Sequence, residues 1–100
     1  MRSVSLRYDR RALSDLDEIY TYIATHDPQA APRVIGRIRA LAEQLLERPL
    51  LGRKSDFPSV RVRPVVTFPY VIFYAIKSND IVILHIRHTA RRQPSPAALA

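Results

Sequence analysis

Cysteine is absent from this chain, and glycine occurs only twice in 100 residues. Without cysteine there is no disulfide framework, no thiolate nucleophile and no cysteine-based zinc site, and nothing implies an oxidising compartment. The two glycines, Gly36 in a helical stretch and Gly52 alone in a loop, cannot build a phosphate-cradling loop, which needs several. Long apolar runs are also missing. The longest nearly uninterrupted one, Pro64 to Ile76, falls short of the roughly 20 residues a membrane span takes, and no signal-peptide core opens the chain. A cytoplasmic protein without membrane partners is expected.

Carboxylates are scarce as well, nine against 16 Lys and Arg, for a net charge of +7. Such basicity calls for an acidic partner: nucleic acid, anionic membrane or an acidic protein segment. The imbalance is local. Residues 1–47 hold seven basic and seven acidic groups, whereas residues 48–100 hold nine basic groups against Asp56 and Asp80 alone. With 47% hydrophobic residues the chain can form a core and is not a disordered basic tail. Its length suits one domain, placed at residues 1–92. Residues 93–100, with Pro94, Pro96 and three alanines, carry no apolar period and read as a mobile tail.

Ser3 to Tyr8 alternates as a half-buried strand does. Asp9 is placed to cap a helix whose apolar stripe is Leu13, Leu16, Ile19, Tyr20 and Ile23, with Asp15, Asp17 and Glu18 on the solvated face. Asp27-Pro28 stops that helix, and Pro28 suits the first position of the next. The second helix carries Val34, Ile35, Ile38, Leu41, Ala42 and Leu45 inward, until Pro49 ends it. Pro49 to Pro58 reads as a basic loop. Three β-rich runs follow, Val60–Thr67, Tyr70–Lys77 and Asp80–His88, with Ser78-Asn79 as the turn between the last two. The fold class is therefore α+β, in the order β-α-α-β-β-β, with a helical hairpin on one face of a small antiparallel sheet.

Pairing Lys77 with Asp80 sets Ala75 opposite Val82, Phe73 opposite Leu84 and Val71 opposite Ile86, an apolar face suited to the helices. The other face then carries Tyr70, Ile72, Tyr74, Ile76, Ile81, Ile83, His85 and Arg87. It is too apolar to remain in water, so a partner is expected there.

No metal or cofactor site is legible. His85 and His88 fall on opposite sides of one strand, His26 is remote, and no carboxylate is placed beside any of them. What stands out is an arginine set at the strand ends: Arg61 and Arg63 on one face of their strand, and Arg87, His88, Arg91 and Arg92 closing the last. Such a set binds phosphates, stabilises developing negative charge or clamps carboxylates of a protein partner.

The run Ala12-Leu13-Ser14-Asp15-Leu16 continuing to Ile19, Tyr22 and Ile23, then Asp27-Pro28 and Ala31, resembles the ParE branch of the RelE/ParE toxin superfamily. Further on, Arg48 to Arg53, Val62-Arg63, Tyr70 to Tyr74 and Ile83 to Arg91 follow the family's pattern in order and spacing. The resemblance implies the toxin of a type II toxin–antitoxin pair, held in a hetero-oligomer by a cognate antitoxin whose acidic, partly apolar C-terminal segment neutralises it. ParE-like members inhibit DNA gyrase. RelE-like members cut mRNA on the ribosome with Lys, Arg and a late Tyr or His, for which Arg63, His88 and Arg91 are the matching residues here. Val71 stands where RelE-like nucleases often carry Arg, and no Tyr follows Tyr74, so the resemblance favours gyrase inhibition over an endoribonuclease. A basic nucleic-acid-binding module without toxicity is a third reading. Arg61, Arg63, Tyr70, Tyr74, His85, Arg87, His88, Arg91 and Arg92 are the candidate residues for antitoxin or target, with antitoxin carboxylates expected at Arg63, Arg87 and Arg91.

Overall fold

A computed structural model describes residues 4–90; Arg91, Arg92 and the 93–100 tail lie outside the described residues. The elements are β1 (Leu6–Tyr8), α1 (Arg10–His26), α2 (Ala30–Glu47), β2 (Arg53–Lys54), β3 (Arg61–Val65), β4 (Tyr70–Lys77) and β5 (Asp80–His88). Asp27 is extended, as the residue before a proline must be. Its side-chain Oδ1 and its carbonyl both accept the Ala30 N–H, at 3.3 and 3.1 Å. Asp27 thus ends α1 and anchors the start of α2. Pro28 lies two residues before the first helical position and does not occupy it.

The α1 stripe differs from the expected one. Ala12, Asp15, Leu16 and Ile19 face inward, whereas Leu13 and Tyr20 are 49% and 45% exposed. Spacings of three and four fit either set. Ala12, outside the expected stripe, marks the true inward line and carries Asp15 into the core with it.

The five strands form one sheet in the order β1-β5-β4-β3-β2. It is mixed and not wholly antiparallel, because β1 runs parallel to β5. The helical hairpin and three strands intervene between β1 and its partner, and no local pattern signals so distant a pairing. Ser78 (φ 51°) and Asn79 (φ 73°) make the β4–β5 turn with both residues left-handed. From it the expected register holds through Lys77↔Asp80, Ala75↔Val82 and Tyr74↔Ile83. The next pair is Phe73↔His85, so Leu84 is an extra residue on β5. A bulge of one residue reverses the facing of everything beyond it. Ile86 and His88 therefore pair with Ile72 and Tyr70, and Arg87 pairs with Val71.

The helices also choose the face opposite to the one expected. Tyr70, Ile72, Tyr74, Ile81, Ile83 and Ile86 pack with Ala12, Leu16, Ile19, Val34, Ile38, Leu41, Ala42 and Leu45 in the main core. Val60, Val62, Val71, Phe73, Ala75, Val82 and Leu84 form a second cluster on the other side, with Phe57 packed against it. Both faces are apolar, so alternation alone could not assign the helices. The larger aromatic and isoleucine side chains take the helical side, and the residues of the second cluster are themselves buried.

Candidate functional site

Strand parity and the Leu84 bulge divide the nominated residues into two groups. Arg61, Arg63, Tyr70, Tyr74 and His88 belong to the helix-packed side, where Arg61 pairs with Tyr74, Arg63 with Ile72 and Tyr70 with His88. His85 and Arg87 lie with Phe73, a member of the opposite cluster. The structure does not bring the seven described candidates together, and Arg91 and Arg92 lie outside the described residues.

Tyr74 is fully buried, and its hydroxyl is engaged twice. It accepts the Gly52 N–H at 2.9 Å and donates to the Pro49 carbonyl at 2.7 Å. Arg61 Nε donates to the Gly52 carbonyl at 2.9 Å. Tyr74 and Arg61 thus pin the Pro49–Gly52 turn to the sheet. A side chain on residue 52 does not fit: a Cβ there would lie 2.6 Å from Tyr74 Cε1 and 2.8 Å from the Val62 carbonyl oxygen.

Arg63 reaches towards α2 and donates to Gln44 Oε1 at 2.6 Å. Its Nε is buried and has no hydrogen-bond partner among the described residues. Burial depresses the affinity of this guanidinium for its proton; Tyr74 acts the other way, and the neighbouring positive charges of Arg37 and Arg48 depress it further. His88 packs edge-on against Tyr70, with ring centroids 5.3 Å apart. Its Nδ1 accepts the Ala90 N–H at 3.1 Å, which leaves the ring proton on Nε2. No hydrogen bond joins Arg63 and His88 among the described residues.

Where β5 runs past the end of β1 lies a contact that sequence reasoning missed. Asp15 Oδ2 accepts a 2.6 Å hydrogen bond from His85 Nδ1 and a 2.9 Å bond from the Ile86 N–H, while Oδ1 accepts from Arg11 Nε at 3.2 Å. Burial alone raises the Asp15 carboxyl. The His85 and Ile86 hydrogen bonds, the His85 charge and the Arg11 bond together outweigh it and hold the group below the ordinary carboxylate value. The His85 ring stacks on Phe73 with centroids 5.9 Å apart, and the Arg87 guanidinium lies 5.7 Å from the same ring's centroid. Asp15 thus cross-links α1 to the bulged end of β5. The available signal was its place in the line Ala12, Asp15, Leu16, Ile19: a carboxylate on a core stripe needs a buried partner.

Among the described residues no three His, Asp or Glu side chains cluster as metal ligands do, and no helix is long and apolar enough to cross a membrane. Residues 6–93 match the family described as "ParE toxin of type II toxin-antitoxin system, parDE". The chain belongs to the ParE toxin family. Among relatives, Y4kP of Sinorhizobium fredii is 40% identical over 89 residues, covering 89% of this chain and 92% of that one. Toxin RelE2 of Caulobacter vibrioides is 40% identical over 81 residues, or 81% and 90% of the two chains. Among solved structures, the chromosomal ParDE system of P. aeruginosa superimposes with a TM-score of 0.78 at 28% identity, covering 85% of this chain and 95% of that one. This ParE-family toxin is accordingly a member of the ParE/RelE superfamily, with two helices on a five-stranded mixed sheet.

Proposed function

We propose that this toxin inhibits DNA gyrase and that a cognate antitoxin neutralises it in a cytoplasmic hetero-oligomer. The observation that carries the reading is the likeness to the ParDE structure, which extends over nearly the whole of that chain at 28% identity. The engagement of the nuclease candidates supports it. General acid–base cleavage of RNA needs groups free to reach the 2′-hydroxyl, the phosphate and the leaving oxygen. Of the nuclease candidates, Arg63 is turned against Gln44 and the His88 Nδ1 accepts the Ala90 N–H, and Val71 stands where RelE-like nucleases often carry Arg. Induction in growing cells, with topoisomers of a reporter plasmid followed on chloroquine gels, is expected to show loss of negative supercoiling; unchanged topoisomers contradict gyrase as the target.

The 40% identity to a toxin named RelE2 favours the second reading, a ribosome-dependent endoribonuclease using Arg63, His88 and Arg91. That reading requires codon-phased new 5′ ends in transcripts after induction, abolished by His88→Ala. Gyrase inhibition requires none.

A further inference from the structure

The loop joining β2 to β3 has a built shape that no periodicity in its sequence shows. Ser55 ties it shut: its N–H and its hydroxyl both donate to the Val60 carbonyl, at 3.1 and 2.7 Å, and its Oγ accepts the Phe57 N–H at 3.0 Å. Val60 in turn donates its N–H to the Phe57 carbonyl at 3.2 Å. Inside this closed loop Ser59 is held at φ 62°, a left-handed conformation that serine rarely adopts and that persists only where its surroundings impose it. Such a loop is preformed and loses little freedom when a partner arrives.

A cavity of about 500 Å³ opens along it, lined by Lys54 of β2, Pro58, Ser59 and Val60 of the loop, Arg61 of β3 and Ile76 of β4. Residues 54–57 also wall a smaller cavity of about 120 Å³, so the loop stands as a ridge between two hollows. By strand parity Ile76 continues the line of Ile72 and Tyr74, which are fully buried, yet it is 40% exposed. The cover of the main core stops short of it, and an apolar side chain is left facing a cavity. Among the described residues neither Lys54 nor Arg61 is in a salt bridge.

We propose that this cavity is the docking site for the toxin's target, and that it takes an acidic segment of that protein, with an apolar side chain entering between Pro58 and Ile76 and a carboxylate meeting Lys54. The inference rests on the gyrase reading above. Charge and shape together select this occupant. Two cations stand at the cavity over an apolar floor, which complements a segment that is acidic and apolar at once. A nucleic acid fits less well. Asp56, on the same wall, opposes a phosphate track, and Phe57, the aromatic residue of the lining, is packed against the second cluster and is not free to stack on a base.

Lys54 and Ile76 are both exposed, so a K54E/I76T variant keeps the fold, and neither residue is at Arg63, Arg87 or Arg91, where antitoxin carboxylates are expected. The experiment measures two quantities on purified toxin: the concentration that half-inhibits gyrase supercoiling, and the dissociation constant for the cognate antitoxin. K54E/I76T is expected to raise the first at least 10-fold and to change the second by less than threefold. An R10E control, with the same change of charge on α1, is expected to leave both within threefold. Unchanged inhibition by K54E/I76T, or equal weakening by R10E, overturns the site while leaving gyrase as the target. Equal loss of antitoxin affinity in K54E/I76T overturns the assignment of the cavity to the target. Failure of the unaltered toxin to inhibit gyrase overturns the reading, and the site with it. A single-stranded 20-mer that binds the unaltered toxin but not K54E/I76T overturns the choice of a protein segment.

Discussion

Asp15 carries more of this structure than its position among three carboxylates on a helix suggests. It satisfies the Ile86 N–H on the part of β5 that β1 does not cover, and it holds His85 against Phe73. Removing one partner of a buried pair leaves the other unmatched, so Asp15→Asn is expected to cost about 3 kcal/mol in urea unfolding at pH 7. The folded-state carboxyl is held below its unfolded value of 3.8. Its contribution is therefore present above about pH 4 and lost as the pH falls through the lowered folded value. The gap between the wild type and D15N should accordingly narrow between pH 5 and pH 2; a constant gap would show that the carboxylate's charge is not what stabilises. Gly52 is constrained as tightly. Gly52→Ala drives a methyl group into Tyr74 and the Val62 carbonyl and is expected to destabilise by about 2 kcal/mol. In the background of Tyr74→Ala, which removes the ring but leaves the Val62 carbonyl in place, the same change should cost less, and additivity of the two would contradict the Tyr74 contact.

Both helices, the β4–β5 turn and four of the five strands were legible because they depend on local chemistry: apolar spacing, Asp27-Pro28, and the β-branched runs after Pro58. The two-residue strand β2, Arg53–Lys54, falls in the stretch expected to be a basic loop, being too short to show a period. Two further features were not legible. The β1–β5 pairing joins residues about 75 positions apart, and its three residues carry no signal of direction. The Leu84 bulge is one residue in an apolar run where every neighbour suits either face, so the alternation that fixes register elsewhere is silent there. That slip moved Ile86 into the main core and put Arg87 across the sheet from Arg63, and it is why the candidate residues were grouped wrongly. The β4–β5 turn gives a direct test at this scale. Ser78 and Asn79 both have positive φ, and Asn-Gly is the pair best suited to such a turn. S78N/N79G is expected to stabilise by about 1 kcal/mol, raising Tm by about 4–8 °C for a domain of this size. A lower Tm would mean that the turn has a different conformation.

Across the whole molecule, the described basic residues of positions 48–90 are distributed over both sides of the sheet. Arg61 and Arg63 are committed to contacts with the Pro49–Gly52 turn and α2, and Arg87 to Phe73. Among the described residues the charge therefore does not form one continuous track for a phosphate backbone, which favours a protein partner over a nucleic acid. Non-specific affinity for duplex DNA should be weak at physiological salt and should vanish steeply as salt rises; tight, salt-resistant DNA binding by the free toxin would contradict this. The most direct test of function uses toxin freed from its antitoxin, added at micromolar concentration to purified gyrase, ATP and relaxed plasmid. Blocked supercoiling, restored when the antitoxin is returned, is the expected result. Undisturbed supercoiling by toxin that cuts ribosome-bound mRNA in codon phase would contradict it.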